Sequence, residues 1–202
     1  RFCFMVSVAI PKFVSLLIIR SMFSADGTIN MMLKEWGWIE QSLPFFTDVT
    51  WSRVMVIVIN LWVGIPYTMI QATGILQNIP SELYEAAKVD GANAFVTFFK
   101  ITLPYMMFVM TPYLITQFTG NVNNFNVIYL LSGGGPGDIM LYTDGAKGTD
   151  LLITWLYKLS LGTDRNYKLA SVIGILVFVI SAVFSLIVYN KSSAVKGEDN
   201  FQ

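Results

Sequence analysis

Long uncharged stretches dominate the pattern of polar and apolar positions along this chain. Asp, Glu, Lys and Arg are absent from residues 54–81, 101–137 and 169–190, and each of these runs exceeds 20 residues. A helix rises about 1.5 Å per residue, so about 20 apolar residues cross the hydrocarbon layer of a membrane. The pattern therefore predicts transmembrane helices over about 53–77, 102–121 and 168–190.

A fourth apolar stretch, at about 2–23, contains two basic residues, Lys12 and Arg20. A charged side chain at membrane depth is costly unless it faces protein or water. We therefore expect Lys12 to face the protein interior or to reach the membrane interface. With this stretch, the sequence predicts an all-α integral membrane bundle of about four transmembrane helices.

The segments between the predicted spans are polar and rich in turn-forming residues. Residues 24–50 contain tryptophans that suit a membrane interface, and the glycines and proline of residues 133–137 break any helix. No Gly-Lys-Ser/Thr follows those glycines, so they do not indicate a phosphate-binding loop. Residues 151–161 read as a short amphipathic or re-entrant helix, and residues 191–202 as a polar tail.

Composition excludes several classes of protein. Hydrophobic residues make up 54% of the chain and charged residues 13%, against about 25% charged in soluble domains. This is too apolar for a disordered protein. The 13 basic and 13 acidic residues balance, which argues against a nucleic-acid partner. One cysteine and no histidine exclude zinc sites, disulfide scaffolds and histidine-based triads. Basic residues fall on both sides of the spans and give no orientation.

The segment between the predicted spans 53–77 and 102–121 is polar but contains residues that favour helix formation. Ser81 is placed to cap a helix, and Glu82 and Glu85 would lie in its first turn, where acids favour the helix dipole. Gly91 would end the helix in a left-handed conformation, and a second short helix would run over residues 92–100. The sequence thus predicts a helix–glycine turn–helix outside the membrane, the alternative being an ordinary polar loop.

This segment resembles the EAA loop of binding-protein-dependent ABC importer permeases over residues 80–104. The pattern is Glu85-Ala86-Ala87, three residues, Gly91, nine residues, and Ile101-Thr102-Leu103-Pro104. The resemblance implies that the loop is cytoplasmic and docks as a coupling helix on a separate ATPase subunit. It also implies that residues 24–50 and 122–167 lie outside and the tail inside. The residues implied in coupling are Glu82, Glu85, Ala86, Ala87, Asp90 and Gly91.

Other stretches narrow the resemblance. Residues 27–33, 123–136 and 148–152 are similar to the larger, MalF-like permease subunit of maltose/maltodextrin-type importers, and the similarity runs from Phe2 to Tyr189. It implies an importer transmembrane domain over 1–190 and a cytoplasmic tail over 191–202. Because the larger subunit has further membrane helices upstream, we expect this chain to be its C-terminal part. Permeases for other oligosaccharides or glycerol phosphates share much of the pattern, so the sugar stays open.

Two predicted spans carry polar residues on one helix face each. Asn60, Gly64 and Tyr67, and likewise Gln117, Asn121 and Asn124, follow an i, i+4, i+7 spacing. Amides and aromatic rings suit an uncharged sugar, but the same residues also join membrane helices, and spacing alone leaves both readings open. By resemblance the substrate-binding residues are Asn60, Val63, Gly64, Tyr67, Gln117, Gly120, Asn121 and Asn124.

Two of these positions depart from the family. Gln117 stands where the maltose-type subunit has a small hydroxyl residue, and Gly120 stands where it has an aromatic ring. The lost ring leaves the identity of the sugar open.

The resemblance also implies partners and a location. We expect a bacterial plasma-membrane protein that pairs with a second, MalG-like permease subunit, an ATPase dimer that binds ATP and Mg, and an extracellular or periplasmic sugar-binding protein. The chain itself is expected to hold no catalytic residue, metal or cofactor. Asp144, Asp150 and Asp164 are expected to face solvent in an outer loop. A channel or a structural membrane subunit is the rival of another class, and the EAA pattern argues against it.

Overall fold

The structure is a computed structural model, in which residues 9–137, 145–162 and 165–191 are described. Within these residues all regular structure is helical. The helices are α1 Lys12–Met22, α2 Thr28–Glu35, α3 Val49–Gln77, α4 Ser81–Val89, α5 Ala94–Thr97, α6 Leu103–Val122, α7 Phe125–Val127, α8 Leu152–Leu161 and α9 Tyr167–Lys191, with π-helical turns π1 Phe98–Thr102 and π2 Ile128–Ser132.

Three long helices confirm the three predicted spans. Among the described residues, Val49–Gln77, Ala94–Ser132 and Tyr167–Lys191 are long and apolar enough to cross a membrane, with mean hydropathies of 1.7, 1.5 and 2.8. Within their most apolar windows only 22%, 11% and 11% of residues are buried. Apolar surface on this scale needs lipid or other protein around it.

The fourth predicted span, 2–23, stays a prediction. Residues 1–8 lie outside the described residues, and the remainder forms α1, which has 11 residues. Within α1, Lys12 is exposed, and the Arg20 guanidinium donates to the Leu130 carbonyl at 3.4 Å.

The chain divides into two compact units, the first formed by Arg1–Pro66 and Val122–Val179 and the second by Tyr67–Asn121 and Ile180–Gln202. The first unit has a hydrophobic core in which α1 packs against π2, with Leu16 and Leu131 fully buried. The buried members of this core are Leu16, Phe45, Met55, Ile59, Val63, Val127 and Leu131.

Residues 24–50 are more ordered than an interfacial loop. They contain α2, and Asn30 in its first turn is 1% exposed. Its amide donates to the Ser24 and Leu43 carbonyls at 3.0 and 3.2 Å, and its oxygen accepts from the Leu43 amide at 2.8 Å. These bonds satisfy a buried polar group and fix the segment.

The glycine-rich loop ends the long helix as predicted, since Gly133 adopts the left-handed conformation at φ 61°. The loop is then held to the segment before α8. The Ser132 and Thr149 hydroxyls lie 2.8 Å apart, and Thr149 donates to the Gly135 carbonyl at 2.7 Å. Nearby, Arg53 of α3 donates to the Gly148 carbonyl at 3.0 Å.

The expectation that Asp150 faces solvent is wrong. Its side chain is 3% exposed and pairs with the Lys158 ammonium at 2.7 Å. The carboxylate also accepts from the Thr154 hydroxyl at 2.9 Å and the Lys147 amide at 2.8 Å. The burial of the carboxylate is thus compensated by a full set of donors. Asp144 and Asp164 lie outside the described residues.

The second unit contains α4, α5, π1 and most of α6. The prediction of a separate helix over 92–100 is wrong, because α5 continues through π1 into α6. Pro104 has no N–H to donate to the carbonyl four residues before it, so the wider π turn lies where the α-helical pattern is interrupted. Pro112 lies within α6.

Candidate functional site: an exposed helical segment and two polar helix faces

The segment between α3 and α6, residues 80–104, begins with α4. Pro80 is the N-cap residue, with φ −54° and ψ 132°. The prediction that Ser81 caps the helix is wrong, because Ser81 is already the first helical residue and no side chain caps this end. Glu82 lies in the first turn as predicted, whereas Glu85 lies beyond it.

The end of α4 confirms the prediction for Gly91. Its φ of 76° is left-handed. The Gly91 amide donates to the Lys88 carbonyl at 3.0 Å, and the Ala92 amide to the Ala87 carbonyl at 2.9 Å. This bond pair is a Schellman motif, which satisfies the last carbonyls and turns the chain sharply.

Sequence reasoning missed the cap of the next helix. The Asn93 side chain accepts from the Val96 amide at 2.9 Å while its own backbone is extended, so it starts α5. Asparagine is a preferred N-cap residue, and its place two residues after the turn glycine was the available signal.

One side of α4 is anchored. Ala87 is 7% exposed, and the Tyr84 hydroxyl lies 3.1 Å from the Thr102 hydroxyl of π1. Tyr84 and Ala87 are three residues apart and therefore share a face of α4. The anchor fixes α4 against the start of the following long helix.

The opposite side of α4 is open. Of the residues implied in coupling, Ala87 is buried and the other five are exposed: Glu82, Glu85, Ala86, Asp90 and Gly91. Beside them, Val89 is 88% and Phe95 77% exposed. Three carboxylates next to exposed apolar side chains make a surface suited to binding another protein rather than remaining in water.

The first unit holds four of the residues implied in substrate binding. The Asn124 amide donates to the Asn60 oxygen at 2.7 Å, so the two amides are brought together. Asn124 also caps α7 by accepting from the Val127 amide at 3.3 Å. Val63 is 7% exposed and belongs to the hydrophobic core. Gly64 follows it in the same helix.

The second unit holds the other four. Tyr67 is 39% exposed, and Asn121 is exposed and donates to the Gln117 carbonyl at 2.8 Å within α6. Gly120 directly precedes Asn121 in the same helix. In the same unit the Thr68 and Tyr113 hydroxyls lie 3.1 Å apart, a pair that the sequence did not single out.

Gly64 and Gly120 have no close neighbour among the described residues. A Cβ added at either position meets no atom of the described residues within 4 Å. Glycines that allow helices to touch have close neighbours at that position. Within the described part of the chain, no helix packs closely against either glycine.

An aromatic cluster follows Asn124. Phe125 and Tyr129 stack with ring centroids 4.9 Å apart, and Tyr157 packs on them at 4.8 and 5.2 Å. Hydrogen bonding to Tyr129, its charge when ionised and burial together raise the pKa of Tyr157 above its ordinary value. Within the described part of the chain no three side chains of the metal-binding types cluster.

Comparison with known proteins gives consistent results. A family model described as "Binding-protein-dependent transport system inner membrane component" matches residues 1–195. The chain is 39% identical, over 97% of its length, to the maltodextrin transport system permease protein MalC of Streptococcus pneumoniae. It is 45% identical over 86% to the galactooligosaccharides transport system permease protein GanP of Bacillus subtilis. It is 40% identical over 89% to the maltose/maltodextrin transport system permease protein MalF of Escherichia coli.

The chain spans 46%, 41% and 35% of these three relatives, less than half of each. A solved structure is also similar, the crystal structure of a bacterial ABC transporter involved in the import of the acidic polysaccharide alginate. It matches with a TM-score of 0.62 and 26% identity, over 89% of this chain and 59% of that one. The similarity to maltose/maltodextrin-type permeases is thereby confirmed.

Proposed function

The chain belongs to the family of binding-protein-dependent transport system inner membrane components, and on this basis we propose that it is a permease subunit of an ATP-driven importer of maltodextrin-like oligosaccharides. Its long helices would form part of the translocation path, and α4 would couple that path to a separate ATPase. ATP and Mg would be held by the ATPase, and this chain would contribute no catalytic group.

The proposal rests on the structure of residues 80–104, which we call the coupling segment. A short helix with an exposed acidic and apolar side stands between two helices long enough to span a membrane. The Schellman turn at Gly91 and the hydroxyl pair of Tyr84 and Thr102 hold it in a fixed conformation. The resemblance of this segment to the EAA loop favours an importer over a channel or a structural subunit.

Three partners follow from this function. An ATPase dimer would bind the exposed side of α4 from the cytoplasm, a second permease subunit would complete the path, and a binding protein would deliver sugar from outside. ATP binding would move the coupling segments of both permease subunits. The membrane helices would then open alternately to the two sides around a site within the membrane.

The polar faces support an oligosaccharide as the substrate. Sugars carry many hydroxyls, each of which can donate and accept, and amide side chains do both. The candidates are the joined amides of Asn60 and Asn124, the exposed Asn121, and Tyr67, whose ring offers an apolar face.

Charge reversal on α4 tests the coupling role. We expect Glu85→Lys, in the permease assembled with its partner subunits, to weaken co-purification of the ATPase and to abolish the sugar-stimulated part of ATP hydrolysis. Glu40→Lys is the matched control, because Glu40 is also an exposed carboxylate but lies before α3. Normal stimulation in Glu85→Lys, or an equal loss in Glu40→Lys, would contradict the coupling role.

A galactooligosaccharide is the second candidate substrate. The identity to a permease named for galactooligosaccharides, 45%, exceeds the 39% to one named for maltodextrin. Uptake of radiolabelled maltotriose and of a galactotriose by vesicles containing the complete importer separates the two. Preferential uptake of maltotriose supports the first substrate, and preferential uptake of the galactotriose replaces it with the second.

A further inference from the structure

A hydroxyl pair in the second unit lies next to two of the residues proposed for substrate binding. The Thr68 hydroxyl of α3 and the Tyr113 hydroxyl of α6 are 3.1 Å apart. Thr68 directly follows Tyr67 in α3. Tyr113 precedes Gln117 in α6 by about one helical turn. The pair therefore brings α3 and α6 together close to Tyr67 and Gln117.

Both helices continue their polar face by one turn at this level. Gln71 is exposed and follows Tyr67 at the i+4 position, so α3 places the two side chains on one face. Tyr113 is half-buried and in the same way shares a face of α6 with Gln117. Along the chain, both added positions are one turn nearer to the coupling segment.

The added side chains suit an uncharged sugar. A glutamine amide and a tyrosine hydroxyl both donate and accept hydrogen bonds, and a tyrosine ring offers an apolar face to the face of a pyranose. Gln71 lies within a helix long and apolar enough to cross a membrane. A polar group at that depth is costly in lipid, so it should face protein, water or a polar ligand.

We propose that Gln71 and Tyr113 form a further saccharide subsite of the substrate path. One helical turn rises about 5.4 Å, which is close to the length that one hexose unit adds to an oligosaccharide. Thr68 is a positioning residue, because its hydroxyl holds that of Tyr113. The inference rests on the proposed function, and it adds that a trisaccharide gains contacts that a disaccharide lacks.

Helix packing is the competing explanation, since amides and hydroxyls also join membrane helices. The hydroxyl pair between α3 and α6 fits that explanation by itself. The exposed Gln71 would then have to contact a partner subunit. The two explanations differ in one measurable respect, because only a subsite depends on the length of the sugar.

Uptake of two sugar lengths by one sample tests the subsite. Vesicles with the complete importer and its binding protein receive a disaccharide and a trisaccharide that carry different radiolabels. Maltose is paired with maltotriose in one assay, and galactobiose with galactotriose in another. The ratio of trisaccharide to disaccharide uptake does not depend on the amount of folded complex. In the series that is transported, we expect Tyr113→Leu and Gln71→Leu each to lower this ratio about fivefold, the factor expected for one lost stacking contact or hydrogen bond.

Matched variants separate the subsite from structural effects. Tyr105→Leu removes another half-buried tyrosine of α6, which lies about a third of a turn round the helix from Gln117, and should leave the ratio unchanged. Tyr113→Phe keeps the ring and should lower the ratio by less than Tyr113→Leu. Thr68→Val and Tyr113→Phe remove the same hydroxyl pair, so the double variant should have the effect of one of them.

The outcomes distinguish failure of the subsite from failure of the proposed function. An unchanged ratio in Tyr113→Leu and Gln71→Leu, or an equal change in Tyr105→Leu, would overturn the subsite and leave the importer function in place. If Tyr113→Leu does not assemble, Gln71→Leu and Tyr113→Phe decide in its place. Uptake of neither sugar series by the unmodified importer would contradict the proposed function, and the subsite with it.

Discussion

The turn at Gly91 allows a quantitative test of the coupling segment through a single methyl group. Gly91 has a φ of 76°, and a Cβ added there meets no atom of the described residues within 4 Å. Gly91→Ala therefore introduces no clash, and its effect is confined to backbone conformation. A left-handed conformation costs an L-residue with a Cβ about 1–2 kcal/mol.

That cost sets the size of the expected effect. Destabilisation by 1–2 kcal/mol lowers the population of a conformation by about 5- to 30-fold. When the ATPase binds only the turned conformation, its apparent dissociation constant rises by up to that factor. We therefore expect the ATPase to bind the Gly91→Ala permease up to about 30-fold more weakly, as measured by titrating ATPase onto permease in nanodiscs. Gly91→Asn should lie much closer to the unmodified protein, because asparagine tolerates this conformation.

Gly74→Ala is the matched control for this experiment. Gly74 lies within α3, and a Cβ added there also meets nothing within 4 Å in the described part of the chain. In a helix interior alanine is favoured over glycine by about 0.5–1 kcal/mol, so this variant should bind the ATPase normally. Unchanged ATPase affinity in Gly91→Ala would refute the idea that the left-handed turn is needed to present α4.

Further predictions concern the candidate substrate-binding residues and the ion pair of Asp150 and Lys158. Asn121→Ala and Tyr67→Ala should each lower sugar uptake while the complex still assembles, and normal uptake in both variants would remove these residues from the site. Asp150→Asn should lower the free energy of unfolding by up to about 3 kcal/mol, because it leaves the partly buried Lys158 without its carboxylate, and should make the segment before α8 more sensitive to limited proteolysis. Replacing both members of that pair with apolar residues should restore part of the resistance, and resistance that stays low would show that the pair contributes more than charge compensation.

The long helices and the turn of the coupling segment could be predicted from the sequence. Uncharged runs longer than a bilayer have few alternatives to a membrane helix, and the left-handed φ of Gly91 follows from the rarity of that conformation in other residues. Helix boundaries were less certain. The prediction that Ser81 caps α4 was wrong because Pro80, whose ψ is extended, occupies the N-cap position.

Contacts between residues that are far apart in the sequence could not be predicted. The ion pair of Asp150 and Lys158 depends on how the segment before α8 folds, and nothing in their spacing shows that the carboxylate is buried. For the polar faces, the residue types and the helix periodicity could be read from the sequence. The structure adds the bond between Asn60 and Asn124 and the burial of Val63 in the core.

The backbone of α6 is weakened in several places along the stretch that leads from the coupling segment to Gln117 and Asn121. Thr111 and Thr116 turn their hydroxyls back onto carbonyls four residues earlier, at 2.6 and 2.9 Å, and Pro112 removes one backbone donor. Hydroxyls bonded in this way and internal prolines both favour curvature. Helix α6 should therefore bend more easily than an uninterrupted alanine or leucine helix of equal length. If the N-terminal end of α6 were displaced, bending would absorb part of the displacement before it reached Gln117 and Asn121.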